Sequence, residues 1–222
     1  MQSLVGTFIR LAESLRSAVC RISLITLNEM FISLKRVMEP CLEPAIKILL
    51  KKGSDTNHFI AQCADRCLLS LVQHCQEQKV LQIVQLQNMN SKSNAYRLKI
   101  CQCLQHIVKS LGNNILFFKE SDKLLVHLAN YLFDASQDVR QAAKVAFVCM
   151  SQAIMGQNEL EKLLQRVLNE VQYKKVREYL DKEPTHLITN QGSQIDFVIT
   201  TAANNLLGQH PHGKRMPASK PQ

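Results

Sequence analysis

Tryptophan is missing from this 222-residue chain, and aromatic residues make up only 5% of it. From Ala45 to Glu183 there is no proline, and the only glycines in that stretch are Gly53, Gly112 and Gly156. A stretch so poor in helix breakers favours consecutive helices. Each of the three glycines falls where an apolar stripe ends, as a C-terminal cap should. Alternating runs of strand formers are absent, which excludes a sheet. No apolar run has the length of a membrane span, and Arg10, Glu13 and Arg16 interrupt the apolar start where a secretory signal would need continuity. Gly-rich phosphate loops and nucleophile-elbow serines are lacking too, so no catalytic residue, cofactor or enzymatic activity is expected. Single-stranded nucleic acid needs exposed aromatics along a basic groove, and most aromatics here sit on apolar stripes, so no nucleic acid is expected as partner.

What is present repeats. Four helix starts recur at Val19, Ile60, Tyr96 and Val139, spaced by 41, 36 and 43 residues. That is the period of a two-helix solenoid repeat. Behind Val19 runs a stripe of Ile22, Thr26, Leu27, Met30, Phe31 and Leu34. Behind Ile60 come Cys63, Ala64, Cys67, Leu68, Leu71 and Val72. Tyr96 leads to Ile100, Cys103, Leu104 and Ile107, and Val139 to Ala142, Ala143, Ala146, Phe147 and Met150. Steps of three and four put each set on one face that must be buried. A polar stretch precedes each anchor, and in a stacked array these stretches share an edge.

The fold class is therefore all-α, an α-solenoid of helix pairs. Helices are expected over 4–14, 17–36, 42–52, 57–76, 79–87, 95–111, 120–133 and 137–154, with one or two more between 158 and 180 forming a wet-faced cap. Residues 1–182 form the array of about four and a half pairs. Residues 183–222 turn to Asn, Gln, Ser, Thr, Gly and Pro and read as a mostly disordered tail, in which Ile195 to Leu207 forms one apolar island.

Net charge is +9; four of the 27 basic and two of the 18 acidic residues lie beyond Asp181, leaving +7 on the helical body. A basic body suits an acidic partner. The eight cysteines fall largely inside helical stripes, where thiols act as small hydrophobes. Cys63 and Cys67 with His58 and His74 nearby could suggest zinc, but structural zinc needs four convergent donors on turns, so no metal is expected. Reduced cysteines and the missing signal imply a cytosolic setting, with no membrane.

The segment from Asp134 to Lys144 carries an acidic turn, then Val139-Arg140, then small residues at helical spacing, and it resembles a HEAT repeat. With Leu15 to Arg21, Asp55 to Ile60 and Ser91 to Arg97, the order of repeats resembles a TOG domain of the CLASP and crescerin type, found in regulators of axonemal microtubules. The resemblance spans about Leu4 to Leu180. It implies tubulin or microtubules as partner, a cytoskeletal and ciliary setting, and contact through inter-helix loops on one edge. TOG domains generally have six pairs; this chain matches the second through sixth, so the first pair and its loop Trp are absent, as in a truncated or alternative form. Carried over by position, the candidate tubulin contacts are Arg16, Ser17, Thr56, Asn57, Lys92, Asn94, Arg97, Arg140 and Lys144. The plainer reading of Ser17, Thr56, Asn57 and Asn94 is N-capping. That of Arg97 and Arg140 is a ladder of arginines on neighbouring acidic turns. A monomeric HEAT scaffold for some other protein is the alternative function.

Overall fold

A computed structural model describes residues 2–154 and 156–182; the expected tail lies outside the described residues. The elements are α1 (Gln2–Ala12), α2 (Ser17–Leu34), a 3-10 helix (Lys35–Cys41), α3 (Leu42–Gly53), α4 (His58–His74), α5 (Glu77–Gln85), α6 (Asn94–Leu111), a second 3-10 helix (Gly112–Phe117), α7 (Ser121–Tyr131), α8 (Gln137–Ala153), α9 (Gln157–Val167) and α10 (Glu170–Lys182). No strand occurs among the described residues. Outer helices α1, α3, α5 and α7 each pack on the inner helix that follows, and inner helices stack α2 on α4, α4 on α6, α6 on α8. This is the α-solenoid of HEAT-like pairs that the period implies.

The stripes build the core. Leu24, Leu27 and Phe31 of α2, Ile46, Leu49 and Leu50 of α3, Leu71 of α4, Ile100 of α6 and Phe147 of α8 are among the largest fully buried side chains. Each contributes roughly 1.5–3 kcal/mol by leaving water. The anchors Ile60 and Val139 are 7% and 0% exposed, and Tyr96 packs half-buried against the core. One stripe departs from expectation. In α2 the buried face is Cys20, Ser23, Leu24, Leu27, Asn28 and Phe31, while Ile22 is 64% exposed. The reason is positional: α2 belongs to the first pair, so no earlier inner helix covers that side among the described residues.

The seams between pairs differ in chemistry. Between α2 and α4 the buried Ser70 hydroxyl donates to Asn28 Oδ1 at 2.8 Å. Between the third and fourth pairs, Arg97 of α6 grips Asp134. Glu39, in the first 3-10 helix, accepts from the Gln76 amide and from Lys79, and so ties α5 to the connector.

Two inner helices end alike. Lys35 after α2 has φ 48° and ψ −124°, and Gly112 after α6 has φ 52° and ψ −131°; each opens a 3-10 helix. By contrast α4 and α8 end in extended residues, Cys75 and Ile154. Only Gly112 of the three glycines caps a C-terminus with positive φ. Gly53 is the last residue of α3, where a Cβ would stand 3.1 Å from Asp65 and 3.3 Å from Lys99, and Gly156 is the N-cap of α9. Close approach in one place and helix initiation in the other account for them.

Contrary to the expectation that no apolar run has that length, Ser17–Gly53 has the length and apolarity of a membrane span. Lys35 and the 3-10 helix with Pro40 break it into separate elements, and Leu24, Leu27, Ile46 and Leu50 pack it into the solenoid core.

Candidate binding edge at the intra-repeat turns

The turn between the two helices of each pair falls at 13–16, 54–57, 86–93, 132–136 and 168–169. A chain of contacts aligns them. Lys52 and Asp55 lie beside Cys20 at the start of α2, and a Cβ on Gly53 would stand 3.3 Å from the Lys99 side chain of α6. The Tyr131 hydroxyl donates to the Met89 carbonyl at 3.2 Å, and Gln172 Nε2 donates to Asn130 Oδ1 at 2.9 Å. All five turns thus share one edge.

The expected residues divide into two groups there. Arg16, Ser17, Thr56 and Lys92 are exposed and their side chains have no partner among the described residues. Arg16 is the N-cap of α2, without a side-chain cap bond from itself or from Ser17. Asn57 caps α4: its Oδ1 accepts from the amides of Phe59 (3.1 Å) and Ile60 (3.4 Å). Such a cap stabilises by about 1 kcal/mol. In the third turn the cap is Ser93, whose hydroxyl accepts from the Tyr96 amide; Asn94 instead accepts from Arg97 Nη2 at 2.7 Å.

The second group is engaged within the array. Arg97 donates from Nε to Asp134 Oδ2 at 2.7 Å and from Nη2 to Oδ1 at 2.8 Å, a two-pronged grip, and Nη1 donates to the Ser91 carbonyl. Side chains of the pair are 12% and 8% exposed. Arg97 holds the Asp134 carboxyl below the usual carboxylate range, and the Ser136 amide, donating at 2.8 Å, adds to this. Arg140 Nη1 closes its own turn by donating to the carbonyls of Asp134 (2.7 Å) and Ala135 (2.8 Å). Lys144 Nζ lies 4.2 Å from the centroid of the Tyr179 ring, joining α8 to α10. Eight of the nine expected residues thus lie in or within one helical turn of the intra-repeat turns, whereas Lys144 sits two turns into α8 on the α8–α10 seam, and only some of the charges face solvent.

Sequence reasoning missed a second feature of this edge. Each turn, or the helix start just after it, carries a large exposed apolar side chain: Leu15 (103%), Leu86 (75%) and Phe133 (50%) in turns, Phe59 (68%) and Val171 (66%) at the starts of α4 and α10. An apolar residue that is out of register with its helix's stripe was the available signal. Phe133 and Val171 also line one shallow cleft with Asn130, Asn169, Glu170 and Gln172. A row alternating apolar and polar groups along a rigid edge is suited to a protein surface, since apolar anchors supply affinity and charges supply orientation.

Burial governs the thiols. All eight are free, six of them buried. Desolvation pushes Cys75 and Cys103 up to about 12 and raises Cys67 and Cys101 further. They stay protonated near neutrality and are poor nucleophiles.

A family model described as CLASP N terminal matches residues 1–175. The chain is 26% identical over 159 residues to TOG array regulator of axonemal microtubules protein 1 of Mus musculus, covering 70% of this chain and 9% of that protein. It is 26% identical over 163 residues to Crescerin-like protein che-12 of Caenorhabditis elegans, covering 70% and 13%. The chain thus spans about a tenth of the length of these curated relatives. Among solved structures, the fold is shared with one described as "Crescerin uses a TOG domain array to regulate microtubules in the primary cilium", at TM-score 0.64 and 24% identity over 82% of this chain and 75% of that one. It is shared also with the MAST/Orbit N-terminal domain, at TM-score 0.63 and 16% identity over 81% and 78%.

Proposed function

The chain belongs to the CLASP N-terminal family, and we propose that it is a non-enzymatic module that binds tubulin or microtubules through the turns of its loop edge. The reading extends to a cytoplasmic, cytoskeletal setting that includes the cilium, with residues 1–182 as the binding array. The observation that carries it is the row of Leu15, Phe59, Leu86, Phe133 and Val171 beside Arg16, Thr56 and Lys92 on one edge. Apolar anchors of this size often contribute about 2 kcal/mol each at an interface centre, and about 1.4 kcal/mol is tenfold in affinity. Exposed cations add orientation and a dependence on salt.

Microtubule co-sedimentation alongside gel filtration with free tubulin tests this. Wild-type protein should bind weakly, and binding should fall further as salt is added. Phe59→Ser combined with Phe133→Ser should cut binding at least about tenfold, with Lys92→Glu reducing it less. Binding unaffected by these changes would reject the edge; no binding at low salt would reject the partner. One observation favours the second reading, a HEAT-type scaffold for another protein: Arg97, Arg140 and Lys144 are occupied within the array. Few cations then remain on the edge to meet an acidic surface.

A further inference from the structure

The inner helices α4, α6 and α8 carry a second stripe, on the side away from the core. It falls two, six, nine and thirteen residues after the anchors Ile60, Tyr96 and Val139. Six of these twelve positions are glutamine: Gln62 and Gln73 in α4, Gln102 and Gln105 in α6, Gln141 and Gln152 in α8. Three of the six are exposed and three half-buried, and none makes a hydrogen bond among the described residues. Arg66 and Lys109 add two cations without an ion pair among the described residues, and the buried Arg66 Nε has no acceptor there either. The half-buried Leu69, Leu98 and Val145 and the buried Val148 complete the stripe. It contains no carboxylate. Asp65, beside it, is already held by Lys99 at 2.8 Å, and the exposed Asp138 stands at the head of α8. An ordinary wet face of this chain looks different: α10 pairs Lys174 with Glu170 and Lys175 with Glu178. Contacts between helices keep the stripes in line. Lys99 of α6 meets the residue before Arg66, and Cys101, next to Gln102, donates to the Val139 carbonyl of α8. Lys109 lies beside Cys149. Arg66, Gln102 and Gln141 are thus level to within about one turn.

We propose that this face of α4, α6 and α8 is a docking surface for an extended acidic peptide. It is separate from the turns at the helix starts and does not depend on them. A carboxamide donates and accepts at once, so it matches the N–H and C=O groups that an extended chain leaves open along its flanks. Inner helices packed about 8–10 Å apart and a rise of about 3.3 Å per residue bring a crossing peptide onto a new helix at about every third residue. Pairing of this kind reads conformation rather than sequence. Charge then selects the peptide. The face offers Arg66 and Lys109 against no carboxylate, on a chain of net charge +9, so acidic side chains are drawn in and basic ones turned away. The Arg66 guanidinium suits a carboxylate as a planar fork, and Lys109 as a point charge. Leu69, Leu98 and Val145 leave room between the polar groups for methylene stems.

Octaglutamate, which its like charges keep extended, is the probe. It is titrated calorimetrically into the full chain beside octalysine and a neutral Gly-Ser octapeptide. Octaglutamate should bind at low salt and weaken as salt rises, and the other two should not bind. Arg66→Glu with Lys109→Glu should raise Kd at least about tenfold. Gln102→Ala with Gln141→Ala, which alters no charge, should raise it about three- to tenfold with the salt dependence unchanged. Circular dichroism checks that each variant keeps its helicity. Octaglutamate failing to bind at low salt overturns the proposal. So does an affinity indifferent to the glutamine pair, which marks a polyanion held by charge alone. A loss as large from Lys47→Glu with Lys162→Glu, two exposed cations of α3 and α9, overturns it too, because net charge rather than this face would then be responsible.

Discussion

The two halves of the array are built from the same pairs but held by different chemistry. In the first half the inner helices are seamed by a neutral Ser70–Asn28 bond, Ile22, Ile25 and Ile32 of α2 stand exposed, and the reversal after α2 forces Lys35 into a left-handed backbone. In the second half the seam is the Arg97–Asp134 grip, and Gly112 makes the equivalent reversal. There the end is covered by α9 and α10, which bury Leu160, Leu163, Leu164 and Val176 while Lys174–Glu170 and Lys175–Glu178 keep the outside wet. A polar cap is what a solenoid end needs in water, and α9 and α10 supply it here. Pairs of one kind therefore do not respond equally to mutation or acid.

The seams should separate the halves most. Arg97→Ala leaves the Asp134 carboxylate buried without its cation, at a cost of about 3–5 kcal/mol. Ser70→Ala strands one amide oxygen and should cost about 1–3 kcal/mol. Urea unfolding measures both, and equal losses would erase the contrast. The ends come next. Leu164→Ala, at a fully buried site, should cost about 2–5 kcal/mol, whereas Ile22→Ala at an exposed one should stay within about 0.5 kcal/mol.

Acid should sharpen the comparison further. The folded-state pKa of Asp134 lies below its unfolded value, so its stabilisation is present above the ordinary carboxylate range and lost as pH falls through the folded value. Glu39, held low first by Lys79, behaves likewise. Hydrogen exchange on lowering the pH through that window should loosen the α6–α8 seam, and the α5 connection at Glu39, before the α2–α4 seam, whose buried Ser70–Asn28 bond does not titrate. The reversals give the smallest effect. Lys35→Gly should raise stability by about 1 kcal/mol, net of glycine's greater chain entropy, and Gly112→Ala should lower it by about 1–2 kcal/mol. Thermal melts of the two variants would show opposite signs.

Much of this architecture was legible because helical periodicity reports burial directly. Ile60, Cys67, Val139 and Phe147 were found as core from spacing alone. Periodicity does not say what lies opposite a stripe, so Ile22 reads as buried although it is 64% exposed, and Val19, Thr26 and Met30 although they are only half-buried. The charges were harder. Arg97 and Arg140 sit one residue after equivalent anchors, yet one bridges two pairs and the other closes its own turn, a difference that depends on where Asp134 lies in space. Phe133 was missed because a single apolar residue in a polar turn has no period to betray it, and Phe59 because it stands beside the anchor Ile60 and only its being out of register with that stripe marks it as exposed. Gly156 was misassigned because a glycine between two helices can end one or begin the next, and only its backbone angles decide.

The left-handed residues Lys35 and Gly112 recur 77 positions apart, whereas the intervening inner helix, α4, ends without one. The true unit of translation in this chain is thus two pairs, not one: a pair whose inner helix leaves by a sharp reversal, then a pair whose inner helix leaves extended. Shortening the array by a single pair would join a connector of one type to a helix built for the other and throw the remaining repeats out of phase. Removing two pairs together would leave the phase, and the alignment of the remaining turns, intact.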